Sequence, residues 1–185
     1  ASADTLALGG VDNTVAAAEV LAALPEDLKP GVKGCYTSFE ENALPLAPFQ
    51  QTWADASKGS SITIAIVGDE KHKGSRALKV DFKHGADPSC WGSGFHIAAP
   101  LGWEKPLDIS AFKTISCWVK GAQGMQIALS VRDIDDEEFR SAWFNITTND
   151  WYQLKVALAD MKSFAYGGNQ NGNKQIDREI RGVVV

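Results

Sequence analysis

The 185 residues are 44% hydrophobic and 22% charged, which suits one globular domain with its own core plus an appendage. A net charge of -5 and a pI near 5.2 exclude the concentrated Lys and Arg that phosphate backbones require. There is no basic run or basic amphipathic helix, and no apolar stretch approaches the roughly 18 to 20 residues that span a bilayer.

The chain opens Ala1-Ser2-Ala3-Asp4 with no Met and no apolar signal core, which fits a processed start. Residues 1–33 form an arm or linker. Asp12, Asn13 or Thr14 is placed to cap a short Ala-rich helix through Val15 to Leu24, which Pro25 and Pro30 close. From residue 34 the apolar period becomes two. Ile62, Ile64 and Ile66 alternate with Thr63 and Ala65, and Leu78, Val80 and Phe82 with Lys79 and Asp81. Further on, Met125, Ile127, Leu129 and Val131 alternate with Gln126, Ala128 and Ser130, and Leu154, Val156 and Leu158 with Gln153 and Lys155. Gly, Asn, Asp and Pro clusters separate these runs. The pattern predicts half-buried antiparallel strands near residues 35–40, 62–67, 77–83, 92–98, 114–120, 125–132, 140–146, 153–158 and 180–185. Regularly spaced strands without intervening helices make residues 34–185 an all-β antiparallel sandwich.

Strand parity then sorts the aromatic residues. With Ile115, Cys117 and Val119 inward, Trp118 shares the outer face with Thr114, Ser116 and Lys120. With Ala142, Phe144 and Ile146 inward, Trp143 points outward beside Ser141 and Asn145. Large rings on polar faces suit a pyranose, whose flat C–H face stacks on an aromatic while polar neighbours take its hydroxyls. A covering loop or the arm is the structural alternative. Parity puts Trp91 in the core with Phe95 and Ile97, and leaves Gly92, Gly94 and His96 on an outer track where the imidazole can meet a hydroxyl. Trp53 and Tyr166 fall in loops, where binding residues concentrate. Trp103 and Trp151 sit at strand starts as edge packing.

The acidic run Asp133, Asp135, Asp136, Glu137 and Glu138 reads first as a solvated turn and second as a source of sugar-hydroxyl contacts. Adjacent hairpin carboxylates do not flank a glycosidic bond from two sides. No GxSxG, HExxH, P-loop or GxGxxG motif is present, so no catalytic residue is assigned. Residues 169–177 resemble a calcium loop but lack its sixth-position Gly and final Glu, which leaves a flexible turn. Asn145-Ile146-Thr147 is a glycosylation sequon. Cys35, Cys90 and Cys117 lack zinc-ligand spacing and allow one disulfide at most; Cys117 lies at a buried strand position, and Cys35–Cys90 is the pair to test.

Three segments carry a family signature: Gly74-Ser75-Arg76-Ala77-Leu78-Lys79-Val80, residues Leu107 to Gly121, and Trp151-Tyr152-Gln153-Leu154-Lys155-Val156-Ala157-Leu158. With Ser38-Phe39-Glu40 and Trp91-Gly92 before them, they resemble the galactose-binding-like jelly rolls among carbohydrate-binding modules, closest to family 11, with families 30 and 44 as neighbours. The likeness covers about residues 35 to 185. It implies a secreted or cell-surface, non-catalytic partner of glycoside hydrolases. Such a module binds single β-1,4 or mixed β-1,3-1,4 glucan chains in a cleft lined by tyrosines with Asp and Arg. By position the resemblance implies contacts from Trp53, Tyr166 and the Asp135 to Glu138 turn; together with the parity reading, the expected carbohydrate contacts are Trp53, His96, Trp118, Arg132, Asp135, Asp136, Trp143 and Tyr166. The resemblance also implies a structural calcium near the first strand, with Glu40 as its side-chain ligand. Cys90 stands where an aromatic is expected, a departure from the family.

A second function class stays open, a structural or assembly domain of a secreted or surface complex. The family's pattern has one more strand after the segment matching Ile180 to Val185. The arm's Thr5-Leu6-Ala7-Leu8, from this chain or a neighbouring chain that shares a strand, is expected to complete that edge.

Overall fold

The computed structural model describes residues 50–98 and 106–185. The fold class is all-β, an antiparallel sandwich type, with only two single 3-10 turns among the described residues, Ala56–Lys58 and Leu158–Asp160. The expected arm, the strand near 35–40, Cys35, Glu40 and Trp103 lie outside the described residues. The chain divides into two compact units, residues 1–100 and 101–185.

In the first unit β1 (Gln50–Ala54) pairs antiparallel with β4 (Ser93–Ala98), and β2 (Ser61–Val67) with β3 (Ala77–Lys83). The β2–β3 register sets Ile62, Ile64 and Ile66 opposite Phe82, Val80 and Leu78, so the two apolar columns share a face as alternation predicts. On the other face Lys79 and Asp81 form an exposed ion pair at 3.1 Å. Trp53 does not sit in a loop. It lies on β1 directly opposite Gly94, and a Cβ on Gly94 would come within 3.0 Å of the indole Nε1. The missing side chain makes the seat for the ring.

Two parity assignments fail here. Trp91 is 58% exposed, because Gly92 (φ 98°) turns the backbone through the left-handed region before β4 begins, which breaks the count back from Phe95. His96 was expected outside but is 2% exposed. Phe95 behind it is buried as well, so β4 is covered on both faces. Cys90 is a free half-buried thiol, and its Sγ lies 2.9 Å from Ser60 Oγ, which also accepts the Gly85 N–H at 3.0 Å. The serine contact holds the Cys90 pKa below the usual thiol value.

The second unit carries β5 (Leu107–Asp108), β6 (Thr114–Val119), β7 (Gln126–Ile127), β8 (Ser130–Asp133), β9 (Glu137–Arg140), β10 (Phe144–Asn145), β11 (Tyr152–Ala157), β12 (Lys162–Gly168) and β13 (Glu179–Val184). Its main sheet runs β13-β8-β9-β12, with β5 on the other side of β13. The valine-rich end of β13 is thus paired along β8. β6 pairs with β11 and β7 with β10.

The core sits where alternation put it. Val131 and Phe139 are directly opposed and fully buried, and Leu129, Ile146, Leu154, Val156 and Ile180 are buried as well, while Val184 is buried on the other side of the sheet, opposite Ser130. Burying such side chains is worth about 1.5 to 3 kcal/mol each relative to exposure. Two long predicted strands are interrupted. At Leu129 and Ser141 one ladder bond, Ser141 N–H to Leu129 C=O at 2.8 Å, is kept and the return bond gives way to the side chain: Leu129 N–H donates to Ser141 Oγ at 3.0 Å, and that hydroxyl donates to Ala142 C=O at 2.7 Å. A serine competing for backbone partners splits the run at 125–132 into β7 and β8, and 140–146 into β9 and β10. Ala142 is consequently exposed, against its expected place in the core. β12 occupies a stretch read as loop from the sequence.

Candidate functional site

The candidate site is built on β8, β9 and β12. Residues directly opposed in antiparallel strands share a face. Opposite the Val131–Phe139 core face, the pairs Arg132–Glu138 and Ser130–Arg140 on β8 and β9, and Arg140–Lys162 on β9 and β12, give one polar face.

The β8–β9 turn is not a solvated acidic loop. Asp136 N–H donates to Asp133 C=O at 3.1 Å, and Asp136 takes φ 63°, the left-handed position that Asp tolerates. Asp133, Glu137 and Glu138 are buried; Asp135 is exposed and Asp136 partly so. Asp133 Oδ1 accepts the Glu137 N–H at 2.9 Å. Burial, reinforced by the nearby Asp177 and Glu137 charges, pushes the Asp133 carboxyl up to about 6. Arg132 bridges this end of the face, its Nη1 3.4 Å from Asp136 Oδ1 and its Nε 3.5 Å from Glu138 Oε2. Glu138 is therefore committed to Arg132, and Asp133 has no solvent exposure. Neither is presented as half of a catalytic pair.

β12 brings the aromatics. Between the pairs Ser163–Phe139 and Gly168–Glu137 it spends five residue steps against two on β9, a wide bulge. The bulge passes over Glu138 closely enough that a Cβ on Gly167 would collide with the Glu138 carboxylate, and Gly168 takes φ 66°. Gln170 Nε2 ties the bulge down by donating to Gly167 C=O at 2.7 Å and Gly168 C=O at 3.1 Å. The segment that resembled a calcium loop is wrapped around Glu137 instead: Lys174 N–H donates to its carboxylate at 3.1 Å, and Lys174 Nζ lies 3.4 Å from Oε1. No group of three or more His, Cys, Asp or Glu among the described residues is arranged to hold a metal, so the calcium expectation rests on Glu40 alone.

Tyr166 stands on the bulge and is 90% exposed. Its ring meets Phe164 edge to face at 5.7 Å, Phe164 lies 3.9 Å from the Arg140 guanidinium carbon, and the Trp143 ring lies 5.0 Å from the same carbon. Trp143 itself is 55% exposed just beyond β9. A continuous array, Trp143–Arg140–Phe164–Tyr166, thus runs beside the Arg132–Asp136–Glu138 network. Cation–π contact keeps Arg140 and Phe164 fixed, while Trp143 and Tyr166 keep ring surface in water.

Of the residues singled out from the sequence, Arg132, Asp135, Asp136, Trp143 and Tyr166 belong to this one region. Trp118 is 46% exposed as parity predicts, but on the separate β6–β11 pair, directly opposite Gln153. Trp53 and His96 lie in the first unit, the former half-buried on Gly94. Sequence reasoning missed Arg140 and Phe164, although Lys162, Phe164 and Tyr166 alternate in a way that could have marked β12 as a strand. A cleft of about 450 Å³ in the same unit, lined by Ile109, Phe112, Leu158, Met161 and Ile176 with Lys174 and Arg178, contains none of the expected residues. It has no indole or phenol on which a sugar ring could stack.

No protein-family model matches the sequence, and no curated protein sequence does. Among solved structures, the chain is similar to the family 11 carbohydrate-binding module of the cellulosomal cellulase Lic26A-Cel5E of Clostridium thermocellum. The identity is 13% and the TM-score 0.53, over 73% of this chain and 75% of that one. The fold is similar to that of a family 11 carbohydrate-binding module. Another solved structure, a family 11 module from Clostridium thermocellum in complex with a β-1,3-1,4-mixed-linked tetrasaccharide, matches at 13% identity and TM-score 0.52 over 74% of this chain and 77% of that one. In this chain the aromatic array and the Arg132 network occupy the sheet β8-β9-β12, whereas Trp118 lies on another strand pair.

Proposed function

We propose that this chain is a non-catalytic module that binds a β-glucan chain, β-1,4 or mixed β-1,3-1,4 linked, on the Trp143–Tyr166 face. Its role is to target an attached or partner glycoside hydrolase to plant polysaccharide outside the cell. The observation that carries the reading is the fixed array of Trp143, Arg140, Phe164 and Tyr166 beside Arg132, Asp135 and Asp136. Exposed rings supply the stacking surface for pyranoses, and adjacent charged groups supply hydrogen bonds to the hydroxyl rim. The solved family 11 module with a bound mixed-linkage tetrasaccharide supports the same ligand class.

Affinity gel electrophoresis against barley β-glucan, hydroxyethyl cellulose, xyloglucan and xylan tests it. Retardation by a glucan without release of reducing sugar is the expected result. Trp143→Ala should weaken that binding by about 1 to 3 kcal/mol and leave the melting temperature nearly unchanged, because the ring is exposed. A wild type that runs unretarded on every glucan, or that hydrolyses one, overturns the reading.

A further inference from the structure

Arg140 and Lys162 are directly opposed on β9 and β12, so two cationic side chains leave the same face side by side. Like charges in that relation are destabilising unless something of opposite sign joins them. Three other cations of this unit are matched: Arg132 has Asp136 and Glu138, Lys174 has Glu137, and Arg178 has Asp108 at 2.6 Å. Among the described residues neither Arg140 nor Lys162 has a carboxylate or hydrogen-bond partner for its charged end. The contacts of Arg140 are to ring faces, Phe164 at 3.9 Å and Trp143 at 5.0 Å. Stacking engages the flat faces of a guanidinium and leaves its N–H edge unspent. The result is a planar fork, held in place by aromatics, with a second cation beside it and part of an indole exposed to solvent.

We propose that this end of the site receives a carboxylate-bearing sugar, a hexuronic acid residue within a β-linked chain. The inference rests on the reading of the Trp143–Tyr166 face as a glycan site and specifies what that site prefers. A uronic acid combines the apolar ring face that stacks on Trp143 with a planar two-oxygen anion at its rim. That anion matches the paired donors of an Arg fork, and Lys162 adds a point charge. A neutral glucose residue offers the ring face but leaves the two adjacent cations uncompensated.

The test uses two matched ligands, a β-1,4-gluco-oligosaccharide and the same chain oxidised at C6 to the uronate, titrated calorimetrically at about 20 and about 500 mM salt. The uronate chain is expected to bind about tenfold more tightly at low salt, a difference of about 1.4 kcal/mol. The advantage should shrink at high salt, disappear when the carboxylate is methyl-esterified, and fall in Lys162→Gln and Arg140→Gln. Lys162 is exposed, so Lys162→Gln should fold; its melting curve checks that. Equal or weaker binding of the uronate, while the neutral chain still binds in a Trp143-dependent way, overturns this inference and leaves the glucan reading intact. A uronate advantage that survives both substitutions places the anion elsewhere and also overturns it. If neither chain binds, the glucan reading fails and this inference with it.

Discussion

The β6–β11 pair and the β8–β9–β12 strands belong to the same unit and are antiparallel, yet they obey alternation differently. On β6–β11 every residue does what its parity says. Leu154 and Val156 are buried, Gln153 and Lys155 exposed, and Trp118 stands out beside Ser116, whose hydroxyl accepts from Gln153 Nε2 at 3.3 Å. On β8–β9 the side opposite Val131 and Phe139 carries Ser130 and Glu138, and the core side itself carries Asp133 and Glu137, all four as buried as the core. Period two reports which side a residue is on; it reports water only when one side is open. Where the bulge folds over Glu138 and the 169–177 loop over Glu137, charged side chains are enclosed and must find partners. Those enclosed charges make the second region the better candidate for selective binding.

The largest expected effect separates the two regions by stability. Glu137→Ala removes a buried carboxylate that holds the 169–177 loop through the Lys174 N–H, and should cost about 3 kcal/mol in urea unfolding. Lys155→Ala, outward on β11, should stay within about 0.5 kcal/mol. Comparable losses would erase the distinction between an enclosed charge and an exposed one.

A pH titration sharpens it further. Asp133 titrates near 6 in the folded chain against an ordinary value of 3.8, because burial disfavours its charge. Between those values the folded state keeps a proton that the unfolded state has released. The Asp133 contribution to stability is therefore greatest below 3.8 and declines as pH rises through about 6. Asp133→Asn, which retains an acceptor for the Glu137 N–H, should flatten that decline in thermal melts. Parallel pH profiles for wild type and variant would contradict it.

Smaller effects belong to the exposed rings. Tyr166→Ala should weaken β-glucan binding by about 1 kcal/mol in calorimetry without moving the melting temperature. Trp118→Ala should change neither glucan affinity nor stability by more than about 0.5 kcal/mol. A loss of affinity at Trp118 equal to that at Trp143 would show that the ligand also uses the β6–β11 face.

The fold was legible because Ile62 to Val67, Ala77 to Phe82, Thr114 to Val119 and Leu154 to Val156 each carry an unbroken period of two. What escaped had local physical causes. Gly92 reversed the reading of Trp91 by turning the backbone just outside a strand. Ser141 broke two long strands by offering its hydroxyl to the ladder. β12 went unread because Gly167 and Gly168 look like loop residues, although here they are what a bulge over Glu138 requires. Trp143 was legible as an exposed ring. Its coupling to Phe164 and Tyr166 through Arg140 was not, because it depends on a pairing between β9 and β12 that no local pattern encodes.

The β12 bulge is also an adjustable part. Its two ends are pinned by Ser163 opposite Phe139 and Gly168 opposite Glu137, while the residues between them are not held to a one-for-one count. Lengthening or shortening that span by a residue would move the Tyr166 ring across the face without disturbing the pairing at either end. The spacing of Tyr166 from Trp143 is thus set by the length of that span, with every side chain of the face kept in its present chemical form.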